Sequence, residues 1–293
     1  MTPASRDRGL AREISYAGSA RTRTGRAVIR SVENLTGRPG LIRRAAGYER
    51  EVAAGRDFWE VMVERYGLEL NLVAGSIADI PRDGPLVVVA NHPYGILDGL
   101  MMGLVLSRAR GDFRILANAV FRRAAELDRI VLPVDFGDTT AARATNLATR
   151  RHALAHLAGG GAMGVFPGGT VSTAARPFGQ PMDPSWRRFT ARLIAKSGAT
   201  VVPLWFDGHN SRLFQVASHL HQTLRLALLV SEFGARIGAP VRVAIGAPIP
   251  PQEIAVRAGD ARELMDFLRA QTYRLSPQPI ADLGYGFDFE EAR

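Results

Sequence analysis

The spacing of apolar residues changes character at about residue 67. Before it, apolar residues recur at helical spacing from about residue 26 to 66, with glycine interruptions. After it, short β-branched runs alternate with longer helical patterns, which predicts an α/β domain with a mostly parallel or mixed central sheet flanked by helices. The predicted strands lie at 68–73, 86–90, 113–116, 130–134, 162–166, 200–206 and 241–245, and the predicted helices at 97–109, 119–127, 141–158, 184–197, 212–236 and 260–274.

This pattern predicts three parts: a disordered basic tail over 1–20, an N-terminal amphipathic helical region over 21–67, and the α/β domain over 68–293. Cationic residues lie beside apolar positions in the helical region, together with Phe58 and Trp59. This arrangement is typical of an amphipathic helix at a membrane surface. It is equally typical of a helical cap packed on the main domain, and the sequence leaves both interpretations open.

Charge is concentrated near the start of the chain. The net charge is +9, and residues 1–50 hold eleven Arg against four acidic residues. Such a surface attracts polyanions: anionic lipid, an acidic carrier protein or nucleic acid. Because no helix-turn-helix, zinc or RNA-binding sheet motif is recognisable, nucleic acid is not an expected partner. The absence of Cys excludes disulfides, thiolate nucleophiles and zinc–thiolate sites.

We expect no transmembrane or secretory segment. The first thirty residues lack an apolar core, and the apolar stretch 86–106 contains His92 and Asp98 near its middle, where charges are costly in a bilayer. The protein is expected to be cytoplasmic, either soluble or peripheral on a membrane.

The end of the strand at 86–90 carries the strongest chemical signal. Asn91 and His92 follow the apolar run, Pro93 and Gly95 impose a turn, and Asp98 arrives six residues after the histidine. A carboxylate at that distance can fix the tautomer of the imidazole, and a neutral imidazole so held is a general base for a hydroxyl. His92 and Asp98 are therefore the candidate catalytic residues.

Asn91 beside the histidine is a candidate substrate-binding residue, and other strand ends supply more. The loop after 162–166 contains Gly168, Gly169, Thr170 and Ser172, whose amides and hydroxyls suit an anionic ligand. Asn118, Arg122 and Arg123 follow the strand at 113–116; these arginines, with Arg114, suit phosphate or carboxylate, although a solvated helix face explains them as well. The cluster at 207–211 lines the same cleft or forms a helix cap with Asn210 or Ser211. His152 and His156 lack an intervening acid, and no metal site is predicted.

In this order and on this fold pattern, the strand-end motifs resemble the glycerolipid acyltransferase family, which includes lysophosphatidic acid acyltransferases and relatives acting on lyso-ornithine lipids. The resemblance covers roughly residues 70–250 and is strongest to the hemolysin-like branch, on the segments 33–38, 91–99 and 210–214. It implies that His92 deprotonates the acceptor hydroxyl and that Asp98 orients it. It also implies acyl-CoA or acyl carrier protein as donor, a lyso-lipid as acceptor, no cofactor, and attachment to the anionic inner face of the cell membrane.

Two departures from the family pattern stand out. Five residues separate His92 from Asp98, where the family usually has four. Gly168 and Val171 occupy the positions of a glutamate and an arginine in the family's Phe-Pro-Glu-Gly-Thr-Arg-Ser motif. The lost charges indicate a different acceptor, or a catalytically inactive lipid- or carrier-binding protein that retains the fold.

Overall fold

The computed structural model describes residues 14–20, 22–118, 125–135 and 139–289. Its centre is a seven-stranded sheet accompanied by a small antiparallel hairpin, β6–β7. The strands are β1 (Glu69–Ala74), β2 (Leu86–Ala90), β3 (Phe113–Asn118), β4 (Val131–Val134), β5 (Ala162–Val165), β6 (Thr173–Ala174), β7 (Pro181–Met182), β8 (Thr200–Phe206) and β9 (Pro240–Ile245).

The sheet order is β1-β9-β8-β2-β5-β3-β4. Strands β8, β2, β5, β3 and β4 run in one direction, whereas β9 is antiparallel to β8 and parallel to β1. The sheet is therefore mixed and mostly parallel, as the alternating pattern predicted.

Helices cover both faces of the sheet. They are α1 (Arg23–Leu35), α2 (Arg38–Ala45), α3 (Tyr48–Ala53), α4 (Phe58–Arg65), α5 (Ile96–Ala109), α6 (Ala125–Ile130), α7 (Thr140–Ala158), α8 (Arg188–Ser197), α9 (Arg212–Leu220), α10 (Gln222–Gly234), α11 (Pro251–Arg257) and α12 (Ala261–Tyr273), with short 3₁₀ turns at Ala17–Ser19 and Ile77–Asp79. In no described helix is there an apolar stretch long enough to cross a bilayer.

Strand β2 lies at the centre of the core and positions the site. Val88 and Ala90 face one apolar cluster, and Val87 and Val89 face another, as the two-residue period of a strand requires. In the parallel register Val89 is opposite Val165 and Ala90 is opposite Leu204. The carboxyl ends of β2, β5 and β8 therefore meet at one edge, where ligands gather in open α/β sheets.

The N-terminal helices form a cap on this domain. Ile29, Leu41 and Trp59 are buried in the same apolar cluster as β2 and α5. Helix α1 packs on α10, and α4 packs on α5. The two aromatic side chains considered for a membrane surface pack inside the protein instead: Trp59 is 4% exposed, and Phe58 is partly buried against the same cluster.

The structure departs from the predicted elements at several points. The helix predicted over 119–127 lies outside the described residues for 119–124, and α6 continues to Ile130. The tail expected to be disordered over 1–20 lies outside the described residues for 1–13, but Ser15, Tyr16 and Ala17 are buried. The single helix expected over 212–236 is two helices, because His221 is extended (φ −165°, ψ 134°) and caps α10. Helix α11 and the β6–β7 hairpin were not predicted.

Candidate active site

His92 sits in a sharp turn between β2 and α5. Gly95 ends the turn at φ 93°, a conformation that residues with a Cβ rarely adopt. An added Cβ there would lie 3.3 Å from Val171 Cγ2 and 3.6 Å from the Tyr16 hydroxyl oxygen. Leu229 Cδ2 would lie 3.5 Å away, so the glycine lets three separate segments approach the turn closely.

Asp98 lies in the first turn of α5 and points back at this turn. Its Oδ2 accepts hydrogen bonds from the main-chain N–H groups of Tyr94 (2.8 Å) and Gly95 (2.9 Å). The same oxygen lies 3.0 Å from His92 Nδ1. Since a carboxylate only accepts, a proton shared across this contact belongs on Nδ1 and leaves the Nε2 lone pair free. The five-residue spacing thus still brings the histidine and carboxylate into contact.

The two members of the pair differ in their exposure. The Asp98 side chain is fully buried, whereas 18% of the His92 side chain is exposed. Burial raises the pKa of the Asp98 carboxyl, against the opposing effects of His92 and of the two main-chain N–H donors. A buried acceptor behind a partly exposed imidazole is the arrangement that a general base requires.

The imidazole plane is held by the loop after β5. Phe166 stacks on the His92 ring, with 4.2 Å between centroids and 27° between planes. The Ser172 N–H donates to the His92 carbonyl at 2.8 Å. Both ends of the 166–172 loop therefore contact the histidine.

A second carboxylate, Asp183, holds the histidine from behind. It follows β7 and is fully buried. Its Oδ1 accepts from the His92 N–H at 3.2 Å and from the Ser172 hydroxyl, and its Oδ2 accepts from Trp186 Nε1 at 2.9 Å. Sequence reasoning missed Asp183, because a single acidic residue between Met182 and a proline carries no motif.

Two predicted binding residues make hydrogen bonds inside the protein. Asn91 is 1% exposed, donates to the Phe206 carbonyl (2.9 Å) and accepts from the Phe206 N–H (2.7 Å), so it ties β2 to the end of β8. Ser172 is 2% exposed and bonded to Asp183. Their polar groups are engaged inside the protein, and contact of either residue with substrate stays a prediction.

The glycines and Thr170 remain candidates to different degrees. Gly168 is buried against Asp183, whose Cβ would lie 3.3 Å from an added Cβ. The Gly169 N–H donates to the Phe166 carbonyl at 3.0 Å, so this amide is occupied in a turn. Thr170 is partly exposed, and its hydroxyl oxygen accepts from Arg225 Nη2 at 3.0 Å.

The structure describes only part of the predicted anion-binding group of Asn118 and the nearby arginines. Arg122 and Arg123 lie outside the described residues, and of Asn118 only the main chain at the end of β3 is described. Arg114 lies near the opposite, amino end of β3 and pairs with Asp112 at 2.9 Å. Arg114 is therefore part of an ion pair with Asp112 away from the site, and it is not placed to bind a ligand there.

The end of β8 reaches the same edge. The Tyr94 hydroxyl donates to the Asp207 carbonyl at 2.7 Å, which fastens the histidine turn to β8. Ser211 caps α9 by accepting from the Phe214 N–H, as one of the two interpretations predicted. Asn210 is 1% exposed, and its side-chain atoms make no hydrogen bond to described residues.

Two further residues near the site come from elements distant in sequence. Tyr16 approaches the Gly95 turn, and burial together with Asp98 and Glu33 raises the pKa of its phenol. Arg225 of α10 is 4% exposed and bonds to the 166–172 loop. A lone arginine within Leu-Arg-Leu-Ala-Leu-Leu-Val is a sequence signal for a buried cation.

This geometry is typical of enzymes that use a histidine–carboxylate pair for proton transfer. A histidine backed by a buried carboxylate, at the carboxyl edge of a mostly parallel sheet, can take a proton from a hydroxyl or amine. Within the described ranges, no group of three or more His, Asp or Glu side chains is placed to hold a metal.

Comparison with known proteins assigns the family. A family model described as "Acyltransferase" matches residues 48–281, and the chain therefore belongs to this acyltransferase family, as the motifs predicted. It is similar to two proteins named "Lyso-glycine lipid O-acyltransferase". That of Phocaeicola vulgatus is 25% identical over 68% of this chain and 70% of its own length, and that of Bacteroides thetaiotaomicron is 26% identical over 68% and 72%. Among solved structures, the 1-acyl-sn-glycerophosphate acyltransferase PlsC of Thermotoga maritima aligns over 95% of this chain and 100% of its own, with 16% identity and a TM-score of 0.46.

Proposed function

We propose that the enzyme moves a fatty acyl group from an acyl thioester, acyl-CoA or acyl carrier protein, to the hydroxyl of a lyso-lipid. The observation that carries this proposal is the 3.0 Å contact between His92 Nδ1 and Asp98 Oδ2, with the imidazole partly exposed. The names of the two Bacteroides-group relatives favour a lyso-amino-acid lipid as acceptor over lysophosphatidic acid.

His92 acts as the general base. Nε2 takes the proton of the acceptor hydroxyl as its oxygen attacks the thioester carbonyl carbon. The tetrahedral oxyanion then collapses: the new C–O bond remains, the C–S bond breaks, and the leaving thiolate takes the proton back from His92. Asp98 holds the imidazole in the required tautomer and stabilises its protonated form. The acyl group passes directly to the acceptor, without a covalent enzyme intermediate.

The oxyanion needs hydrogen-bond donors. Because the Gly169 amide is occupied, we assign this role to the main-chain N–H groups of Gly168 and Thr170. Neither of these two N–H groups bonds to another residue in the described part of the chain. The loop that carries these two N–H groups also contacts His92 through Phe166, which supports their assignment as oxyanion donors.

The lipid substrate requires access to a membrane, and we propose peripheral attachment through the N-terminal cap. Exposed arginines there, among them Arg23, Arg26 and Arg43, suit anionic lipid, and Leu35 at the end of α1 is 86% exposed. Since acyl-CoA and carrier-protein thioesters are made in the cytoplasm, we place the enzyme on the inner face of the cell membrane. Charge-reversing the three arginines should weaken co-sedimentation with anionic vesicles; unchanged sedimentation would contradict this attachment.

Thiol release from acyl-CoA or acyl carrier protein, measured with a panel of lyso-lipids, tests the reaction. Wild type should release thiol only when an acceptor is present, and His92→Ala should lower turnover by at least about 10²-fold. His152→Ala, at an exposed position on α7, is the matched control and should behave as wild type. Undiminished turnover in His92→Ala would refute the base. Lipid binding without any thiol release would instead indicate the inactive, ligand-binding alternative.

A further inference from the structure

Arg225 lies directly beneath the loop that contacts His92. Its Nη2 donates to Thr170 Oγ1 at 3.0 Å and to the Val171 carbonyl at 2.7 Å. Its Nη1 donates to the hydroxyls of Thr173 and Ser218. The guanidinium is therefore fully embedded between α10 and the active-site loop.

No carboxylate in the described part of the chain pairs with this cation. Its hydrogen-bond partners are neutral oxygens, and the Phe214 and Phe289 rings lie 5.0 and 4.3 Å from its Cζ. A buried arginine usually pairs with a carboxylate. Arg38 is similarly buried, at 5% exposure, and its Nε lies 3.8 Å from Glu33 Oε2. Burying a guanidinium without a counter-ion is costly, so its positive charge is available to a ligand.

The guanidinium remains charged at neutral pH. Burial lowers its pKa to about 9, partly offset by Tyr16. The 166–172 loop, Phe-Pro-Gly-Gly-Thr-Val-Ser, contains no charged side chain. Arg225 thus supplies from α10 a positive charge that the loop lacks.

Thr170 links the buried arginine to the surface of the site, because the guanidinium polarises its hydroxyl. Its oxygen accepts from Arg225, so the hydroxyl proton is left to donate elsewhere, and a hydroxyl polarised in this way is a stronger donor. Thr170 is partly exposed, whereas Arg225 is buried. A ligand would therefore touch the threonine and experience the arginine's field.

We propose that Arg225 and Thr170 together select an acceptor whose headgroup carries a negatively charged oxygen. This inference rests on the proposed acyl transfer to lyso-lipids and specifies its acceptor class: the carboxylate of an amino-acid headgroup or a phosphate. Thr170 donates to the anion, and Arg225 is a positioning residue that acts through Thr170. The anion is held on the same loop that orders His92, which places the acceptor hydroxyl near the base.

Acylation kinetics on a free-acid acceptor, its uncharged ester and a phosphate acceptor test this assignment. The probes are an N-(hydroxyacyl)glycine, its methyl ester, and lysophosphatidic acid. Wild type should show kcat/KM at least tenfold higher for the free acid than for the ester. Arg225→Gln should reduce that ratio towards one, mainly by raising KM for the anion, and Arg225→Lys should retain most of it. Arg192→Gln, which removes an exposed arginine on α8, controls for net charge and should keep the wild-type ratio.

The outcomes separate the two levels of the proposal. An equal loss on acid and ester in Arg225→Gln would show a purely structural arginine and overturn the inference. A wild type that acylates both without preference would also overturn it, while leaving the acyltransfer intact. A wild type that acylates none of the probes would refute the proposed function itself. If Arg225→Gln lowers kcat/KM tenfold for lysophosphatidic acid alone, the site is supported and its ligand is phosphate rather than carboxylate.

Thr170 provides a second route if Arg225→Gln fails to fold. Thr170→Val preserves shape but removes the hydroxyl, and it should lower the acid-to-ester ratio at least fivefold. Thr170→Ser should restore the ratio. A Thr170→Val enzyme with the wild-type ratio would overturn the inference independently.

Discussion

The main-chain N–H of His92 donates a 3.2 Å hydrogen bond to the carboxylate of Asp183, although 91 residues separate them along the chain. The bond fixes the backbone of His92, the proposed general base, while the Asp98 carboxylate lies 3.0 Å from its ring. Asp183 also accepts from Ser172 and Trp186, so a single buried group joins the β2 and β5 loops to the start of α8.

We expect Asp183→Ala to be strongly destabilising. It leaves three buried donors unpaired, each costing about 1–3 kcal/mol, so the free energy of unfolding should fall by about 3 kcal/mol or more. Urea unfolding measures this loss, and turnover should fall because His92 loses its anchor. Asp112→Ala, at an exposed position, should cost less than about 0.5 kcal/mol. Equal stabilities of the two variants would contradict the anchoring role of Asp183.

Asn91→Ala should affect stability rather than substrate binding. The substitution leaves the buried Phe206 N–H and carbonyl unpaired, at a cost of about 2 kcal/mol. KM for the acceptor should stay within about twofold of wild type in the folded fraction. A large rise in KM with an unchanged melting temperature would restore Asn91 as a substrate contact.

Two glycines of α5 form a matched pair that tests the docking of the cap. A Cβ at Gly103 would lie 2.1 Å from Trp59 Cε3, whereas nothing lies within 4 Å of a Cβ at Gly99. Gly103→Ala should push Trp59 of the cap away and cost about 1–3 kcal/mol. Gly99→Ala should gain about 0.5–1 kcal/mol from helix propensity. Thermal unfolding of both variants measures these changes in stability. A stabilising Gly103→Ala would refute the packing of Trp59 on α5.

The buried Asp98 predicts a pH-dependent stability. Because burial raises its pKa above the ordinary value of 3.8, the folded protein binds this proton more tightly than the unfolded chain. The contribution of Asp98 to stability therefore falls as the pH rises above about 4. Asp98→Asn, which removes the buried charge, should have a melting temperature that rises relative to wild type as the pH increases above about 4, although its turnover falls.

Asp260 offers a control of opposite sign. It caps α12, and the N–H groups of Arg262 and Glu263 lower its pKa. Its ionised form stabilises the protein above the unfolded pKa, and this stabilisation is lost as the pH falls below about 4. Asp260→Asn should therefore differ most from wild type at neutral pH, as a loss. A pH-independent difference for Asp98→Asn would refute the burial of its charge.

The sequence by itself determined the sheet and the contact between His92 and Asp98, the proposed catalytic pair. The runs at 86–90 and 200–206 were predicted to the residue, because buried parallel strands are continuous apolar segments bounded by turn residues. His92 and Asp98 were predictable for a related reason: both belong to one strand–turn–helix unit, so their contact follows from local geometry. Helix boundaries such as the break at His221 were missed, because apolar periodicity continues across it.

Only the tertiary structure decided how this pair is supported. Asp183, Arg225 and Tyr16 reach the site from a hairpin, a late helix and the N-terminal segment, and their positions depend on how those elements pack. The same packing converted Asn91 and Ser172 from candidate ligand groups into internal hydrogen-bond partners. A local pattern specifies which residues neighbour each other along a turn. Burial and long-range hydrogen bonds, which specify which residues face a substrate, exist only once the chain has folded.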